Sequence, residues 1–135
     1  RLDRSEFMPF SPATMVDHAA ACYSDYGPGV AHTARYMTIC LDTTPAMQKA
    51  SPAVVHIDGT ARLQTVSASG DPLYHRLITA FGELTGVPVV LDTSFNVRGE
   101  PIVGTPDDAI RCWASTGLDR LVLGPCVLVK PGLGA

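Results

Sequence analysis

The chain has 135 residues, the length of one domain with one hydrophobic core. Hydrophobic residues make up 46% and charged residues 17%, which excludes a disordered chain, and no apolar run approaches the ~20 residues of a membrane span. The net charge of −3 speaks against the basic surface of a nucleic-acid binder.

The first residue is Arg1, and no basic stretch with an apolar run follows it, so no signal peptide is expected. The chain is expected to be a piece of a longer cytoplasmic protein. Its four cysteines, Cys22, Cys40, Cys112 and Cys126, form no CxxC or CxH spacing, so no zinc site is expected from them. Cys40, Cys112 and Cys126 stand among apolar residues and are expected to be buried, reduced thiols. Eight Arg stand against two Lys. A GC-rich coding sequence accounts for that set as a whole, while individual arginines remain candidates for bidentate anion contacts.

In chain order, Arg1 to Pro12 reads as irregular, with Pro9 and Pro12 as breakers. Ala13 to Tyr23 is Ala-rich and predicts a short helix. Gly27, Pro28 and Gly29 mark a loop. Tyr36 to Leu41 predicts a strand, and Thr43 to Pro52 a loop suited to act as a lid. Val54, Val55 and Ile57 predict a short strand running into an Asp58-Gly59 turn. Arg62 to Val66 alternates polar and apolar, as a half-buried strand does.

Asp71 to Leu84 carries the clearest helix signal. Asp71 suits the N-cap, Pro72 the first turn and Gly86 the stop, with Leu73, Leu77, Phe81 and Leu84 on one face. Val87 to Leu91 is continuously apolar, which predicts a central strand covered on both sides. Thr93 to Pro101 is a polar loop. Thr105 caps a further helix, with Pro106 first, Asp107 and Asp108 complementing its dipole, and an end near Gly117. Leu121 to Leu123 and Val127 to Val129 predict two last strands. The succession is that of an α/β or α+β sheet domain.

Three polar clusters are candidates for chemistry. The loop Thr93 to Pro101 follows an apolar strand, and α/β proteins bind ligands at such strand ends. Ser94 and Asn96 would project to one side of an extended segment, offering a hydroxyl and a carboxamide, and Arg98 adds a cation. A plain Asx or Ser turn explains the same residues. The second cluster runs from His56 to Thr65, where Arg62 can reach an anion beside the Asp58-Gly59 turn. His56 reads as a hydrogen-bonded structural residue and Asp58 as a turn cap. The third holds Arg1 and Arg4, either a solvated terminus or a pair of cations for a polyphosphate. No Walker A loop, G-x-G-x-x-G, G-x-S-x-G or H-E-x-x-H is present.

The run HIDGTARLQTV, followed by FGELTGVPVVLDTSFNVRGEPIVGTPDDAIRCWASTGLDRLVLG, resembles the C-terminal domain of the NodU/CmcH-type O-carbamoyltransferases, and RSEFMPFSP is similar to the segment that opens it. These enzymes decorate natural products such as nodulation factors, cephems, aminoglycosides and ansamycins. The resemblance covers nearly the whole chain, 1–135, and implies a YrdC-like fold, an open twisted mixed sheet with flanking helices. It implies that ATP, with Mg2+, and carbamoyl phosphate react here to give carbamoyl adenylate. An N-terminal actin-like-ATPase-type domain, holding Fe2+ or a similar metal, would then pass the carbamoyl group to an acceptor hydroxyl.

Carried over position by position, Ser94 and Asn96 match the family's S-x-N motif, which contacts the activated carbamoyl and phosphate groups. Arg62 matches the arginine of DGTAR and Arg4 that of R-x-E-F-x-P-F, both expected phosphate ligands. The lysine some members place just before this last arginine is replaced by the stretch of Arg1 and Leu2. Asp92 stands where many members have Asn. Arg98 lies within the motif, as a ligand contact or as part of the turn's shape. The resemblance leaves two other readings: a threonylcarbamoyl-adenylate synthase-like enzyme, and a non-catalytic nucleotide-binding or assembly module. Small molecules and the N-terminal domain are the implied partners; nucleic acid and membrane are not.

Overall fold

Met15 divides a segment that the sequence pattern predicts as one helix. In the computed structural model, which describes residues 10–132, Ser11–Met15 is strand β1 and only Val16–Cys22 is helix α1. Ala13 and Met15 have no strand preference of their own, and Thr14 is the only β-branched residue of the segment. They are extended because β1 sits between two partners, parallel to β4 (Gln64–Val66) and antiparallel to β5 (Val89–Asp92). The backbone pairing of two neighbours outweighs local helix propensity.

Further corrections lie in the first half of the chain. Tyr36 to Leu41 is not a strand. Pro28–Ala31 forms a single turn, α2, and Thr33–Tyr36 a 3-10 turn that ends at Met37 with φ +53°. Only Leu41–Asp42 is extended, as β2, pairing antiparallel with β3 (Thr60–Ala61). The expected lid, Thr43 to Pro52, contains helix α3, Pro45–Ala50. The Thr44 hydroxyl accepts the Met47 N–H and donates to the Ala21 carbonyl, and Met47 is buried, so this segment is pinned to the core. Val54 ends a 3-10 turn rather than opening a strand, and Ile57 is fully exposed.

The later capping signals hold. Helix α4 spans Pro72–Thr85, with the Asp71 carboxylate accepting the Tyr74 N–H and Gly86 stopping it at φ +76°, a conformation glycine adopts without strain. Helix α5 spans Pro106–Ser115 behind the Thr105 cap. Strands β6 (Arg120–Leu123) and β7 (Cys126–Val129) form an antiparallel hairpin. The class is mixed α+β with small open sheets, as expected, and no described sheet closes into a barrel.

Burial corrects three expectations. The α4 residue that meets the sheet is Ile78, fully buried with Ala13, Met15 and Val66, whereas Leu73, Leu77 and Leu84 are 76%, 55% and 87% exposed. The packing face is turned about a quarter of the helix circumference from the Leu stripe. Strand β5 is at the edge of its sheet and not central, and Leu91 is exposed. Cys40 and Cys126 are exposed, while Cys22 and Cys112 are buried; all four are free thiols.

The described residues group into two compact units, 10–93 and 94–132. The core of the first lies around Tyr23, Leu63 and Val89, and Tyr23 hydrogen-bonds the Thr14 hydroxyl at 2.8 Å inside it. Among the described residues no helix is long and apolar enough to cross a membrane.

Candidate active site

Strand pleating places one candidate residue. Ala13 pairs with both Gln64 and Val90, and Ala13, Met15 and Val66 lie on the face that packs against Ile78 of α4. Side chains two apart share a face, so Ser11 and Asp92, which are direct partners, stand on this same face one step further along. Arg62 lies two residues before Gln64, in the break between β3 and β4. Its Nε donates to the Ser11 Oγ at 3.2 Å. Arg62, Ser11 and Asp92 thus form a row across three chain segments at one end of the sheet. Ser11 is 2% exposed and Arg62 is exposed, so the buried hydroxyl fixes the guanidinium by its Nε edge and leaves the Nη groups for an anion.

Tyr74, from the first turn of α4, faces the far end of that row. Burial first, then the charge of Asp92 and a hydrogen bond to it, push the phenol well above its ordinary range. Neither Ser11 nor Tyr74 stands out in the sequence as a functional residue. The sequence carries no signal for either: Ser11–Met15 shows no polar–apolar alternation, and only register and packing bring Ser11 to Arg62 and Tyr74 to Asp92.

The Asp58 turn precedes Arg62 by a few residues. The Asp58 carboxylate accepts the Thr60 N–H at 3.0 Å and the Thr60 hydroxyl at 2.8 Å. These bonds, the backbone one first, hold the carboxyl below its ordinary range. The Thr60 hydroxyl spends its hydrogen on Asp58 and therefore accepts from His56 Nδ1, 3.0 Å away. His56 Nε2 is buried without a partner. Asp58 caps the turn and His56 is tied into it, as the sequence suggested.

The second unit carries the Ser94 to Pro101 part of the loop. A bend at Phe95 and Asn96 interrupts the extended segment on which the same-side placement of Ser94 and Asn96 rested. Asn96 Nδ2 donates to the carbonyls of Val97 (3.1 Å) and Glu100 (3.0 Å), and Glu100 N–H bonds the Val97 carbonyl. Val103 N–H closes the loop onto the Phe95 carbonyl at 3.0 Å. Asn96 is therefore a turn-builder whose side-chain oxygen remains for a ligand. Ser94 is exposed, and Arg98 is exposed at the turn that Gly99 completes with φ +86°. Arg62 belongs to one unit, and Ser94, Asn96 and Arg98 to the other. Arg4, with Arg1, lies outside the described residues. Among the described residues no three His, Cys, Asp or Glu side chains gather to hold a metal ion.

The family profile described as Carbamoyltransferase C-terminus matches residues 2–130. The chain is 37% identical to nodulation protein NolO of Bradyrhizobium diazoefficiens over 127 residues, covering 94% of this chain and 23% of that protein. It is 37% identical to nodulation protein U of Rhizobium tropici over 109 residues, covering 81% of this chain and 18% of that protein. With the 3'-hydroxymethylcephem-O-carbamoyltransferase of Amycolatopsis lactamdurans it shares 43% identity over 72 residues, or 53% of this chain and 14% of that protein. The chain thus spans less than a quarter of the length of each of these relatives. With that match over nearly its full length, the chain belongs to the carbamoyltransferase C-terminal family.

Proposed function

We propose that this chain is the carbamoyl-activating part of an ATP-dependent O-carbamoyltransferase. The observation that carries the reading is the Arg62 guanidinium, held by a buried serine with its Nη groups left for phosphate oxygens. Carbamoyl phosphate is hydrolysed to carbamate and inorganic phosphate. A carbamate oxygen then attacks the α-phosphorus of ATP, the bond to the β,γ-phosphates breaks, and pyrophosphate leaves with the bonding electrons. The product is carbamoyl adenylate. Such an in-line displacement needs charge neutralisation and positioning, with no side-chain nucleophile.

In this reading Arg62, Arg4 and a magnesium ion that travels with ATP neutralise the phosphates. Ser94 and the Asn96 oxygen hydrogen-bond the carbamoyl group, and Arg98 supplies a further charge. The carbamoyl group then passes to an acceptor hydroxyl of a secondary metabolite on an N-terminal domain that holds Fe2+ or a similar metal. The cephem carbamoyltransferase among the relatives supports an antibiotic-type acceptor. A cytoplasmic location is part of this reading, since ATP and carbamoyl phosphate are its proposed substrates.

The test is pyrophosphate release by the full-length enzyme with ATP and carbamoyl phosphate. Arg62→Ala and Ser94→Ala are expected to lower the rate by about 100-fold and about tenfold. Equal rates in wild type and both variants would remove the assigned roles. ATP binding without any release would point to a nucleotide-binding module, and dependence on threonine to a threonylcarbamoyl-adenylate synthase.

A further inference from the structure

We propose that Asp92 is a specificity-determining residue that accepts a hydrogen bond from the amino group of carbamoyl phosphate while Arg62 holds its phosphate. This rests on the function proposed above and names the group by which the site distinguishes its acyl phosphate.

The row across the sheet carries the argument. Arg62 and Asp92 flank Ser11 on one face, Arg62 through its 3.2 Å hydrogen bond and Asp92 through the strand register. Neighbouring strands are about 4.8 Å apart, so the backbones bearing the two charges are separated by roughly 10 Å. Among the described residues Arg62 and Asp92 form no ion pair. The neutral Ser11 hydroxyl stands between them. The row therefore offers a cation and a carboxylate, with the buried Ser11 hydroxyl between them.

That order suits a small molecule with an anionic group at one end and an N–H donor at the other. Carbamoyl phosphate has this form, with its phosphate and its amino group separated by one oxygen and one carbon. A carboxylate beside a phosphate is unfavourable unless it gains a donor, and the amino group supplies one. Asp92 is half-buried, and the Tyr74 hydroxyl engages it from the α4 side. A carboxylate has acceptor capacity to spare after that bond, and Tyr74 limits how it can turn. A site built around an N–H acceptor rejects an isostere lacking the donor, because its own polar group is then left unpaired.

Acetyl phosphate is that isostere, with a methyl group replacing the amino group. Calorimetry on the full-length protein, without ATP, compares the two acyl phosphates in wild type, Asp92→Ala, Asp92→Asn and Tyr74→Phe. Wild type is expected to prefer carbamoyl phosphate by about tenfold or more. In Asp92→Ala the preference falls to about twofold or less, through weaker carbamoyl phosphate binding and not through tighter acetyl phosphate binding alone. Asp92→Asn, which keeps an acceptor oxygen, and Tyr74→Phe, which keeps the carboxylate, lie between. An undiminished preference in Asp92→Ala overturns the proposal. Equal wild-type affinities for the two ligands also overturn it while leaving the function intact. Failure of wild type to bind either ligand removes the functional reading as well. Should Asp92→Ala not fold, Asp92→Asn and Tyr74→Phe decide: wild-type preference in both contradicts the role.

Discussion

The two units hold their candidate residues in different ways. In the sheet unit, Arg62 is fixed by Ser11, a residue 51 positions away that reaches it only because β1 and β4 run side by side. In the loop unit, Asn96 fixes itself, donating to carbonyls one and four residues ahead. The first arrangement depends on tertiary pairing, and a remote substitution can undo it. The second is local, and only substitutions within the turn disturb it. In the proposed reaction the difference matters, since a pre-aimed cation would lose little freedom on binding phosphate, whereas a self-closed turn would offer one fixed acceptor.

The contrast yields a graded set of expectations. The largest effect is on Arg62: even Arg62→Lys, which keeps the charge, should lower kcat/KM for pyrophosphate release by at least about tenfold, because Lys cannot bind Ser11 and a phosphate through one planar fork. Next comes Asn96→Ala, which removes the carboxamide and opens the turn. It should lower kcat by about tenfold while Arg62-dependent phosphate binding, read by calorimetry, stays near wild type. Ser11→Ala should raise KM a few-fold with kcat nearly unchanged, since it frees the guanidinium without removing it. If Ser11→Ala matches Arg62→Ala in both parameters, Ser11 has a larger role than aiming the arginine.

Two smaller effects are on stability. Asp71→Ala removes the α4 cap and should cost about 1 kcal/mol in denaturant unfolding. The Asp58 carboxyl sits below its ordinary value of 3.8 in the folded chain. Its stabilising contribution is therefore complete above that value and is lost as pH falls through the lower folded pKa. Thr60→Val, which removes the hydroxyl donor, should move the acid-unfolding midpoint slightly upward. An unmoved midpoint would show that the backbone N–H alone sets the shift.

The sequence made local features legible. The Asp71 and Thr105 caps, the Gly86 stop and the Asp58 turn depend on residues within a few positions, and each has its expected role. Features set by distant partners were not legible. Ala13 to Met15 became a strand through its two neighbours, although it opens the Ala-rich run to Tyr23 that reads as one helix. The Leu stripe of α4 satisfied helical periodicity, yet the sheet meets that helix at Ile78, and at Gly82 a Cβ would press on Pro88 just before β5. Val87 to Leu91 is apolar enough for a central strand, but apolar composition does not set strand order. The same division runs through the candidate residues. Ser94, Asn96 and Arg62 could be singled out from their motifs, whereas Ser11 and Tyr74 emerge only from register and packing.

The central claim is that this chain activates a carbamoyl group as an adenylate. Exchange of radiolabelled pyrophosphate into ATP by the full-length enzyme, with no acceptor present, reads that step directly. The account predicts incorporation of label that requires carbamoyl phosphate and falls about 100-fold in Arg62→Ala. Absence of exchange in active wild-type enzyme, or exchange at the same rate without carbamoyl phosphate, would contradict it.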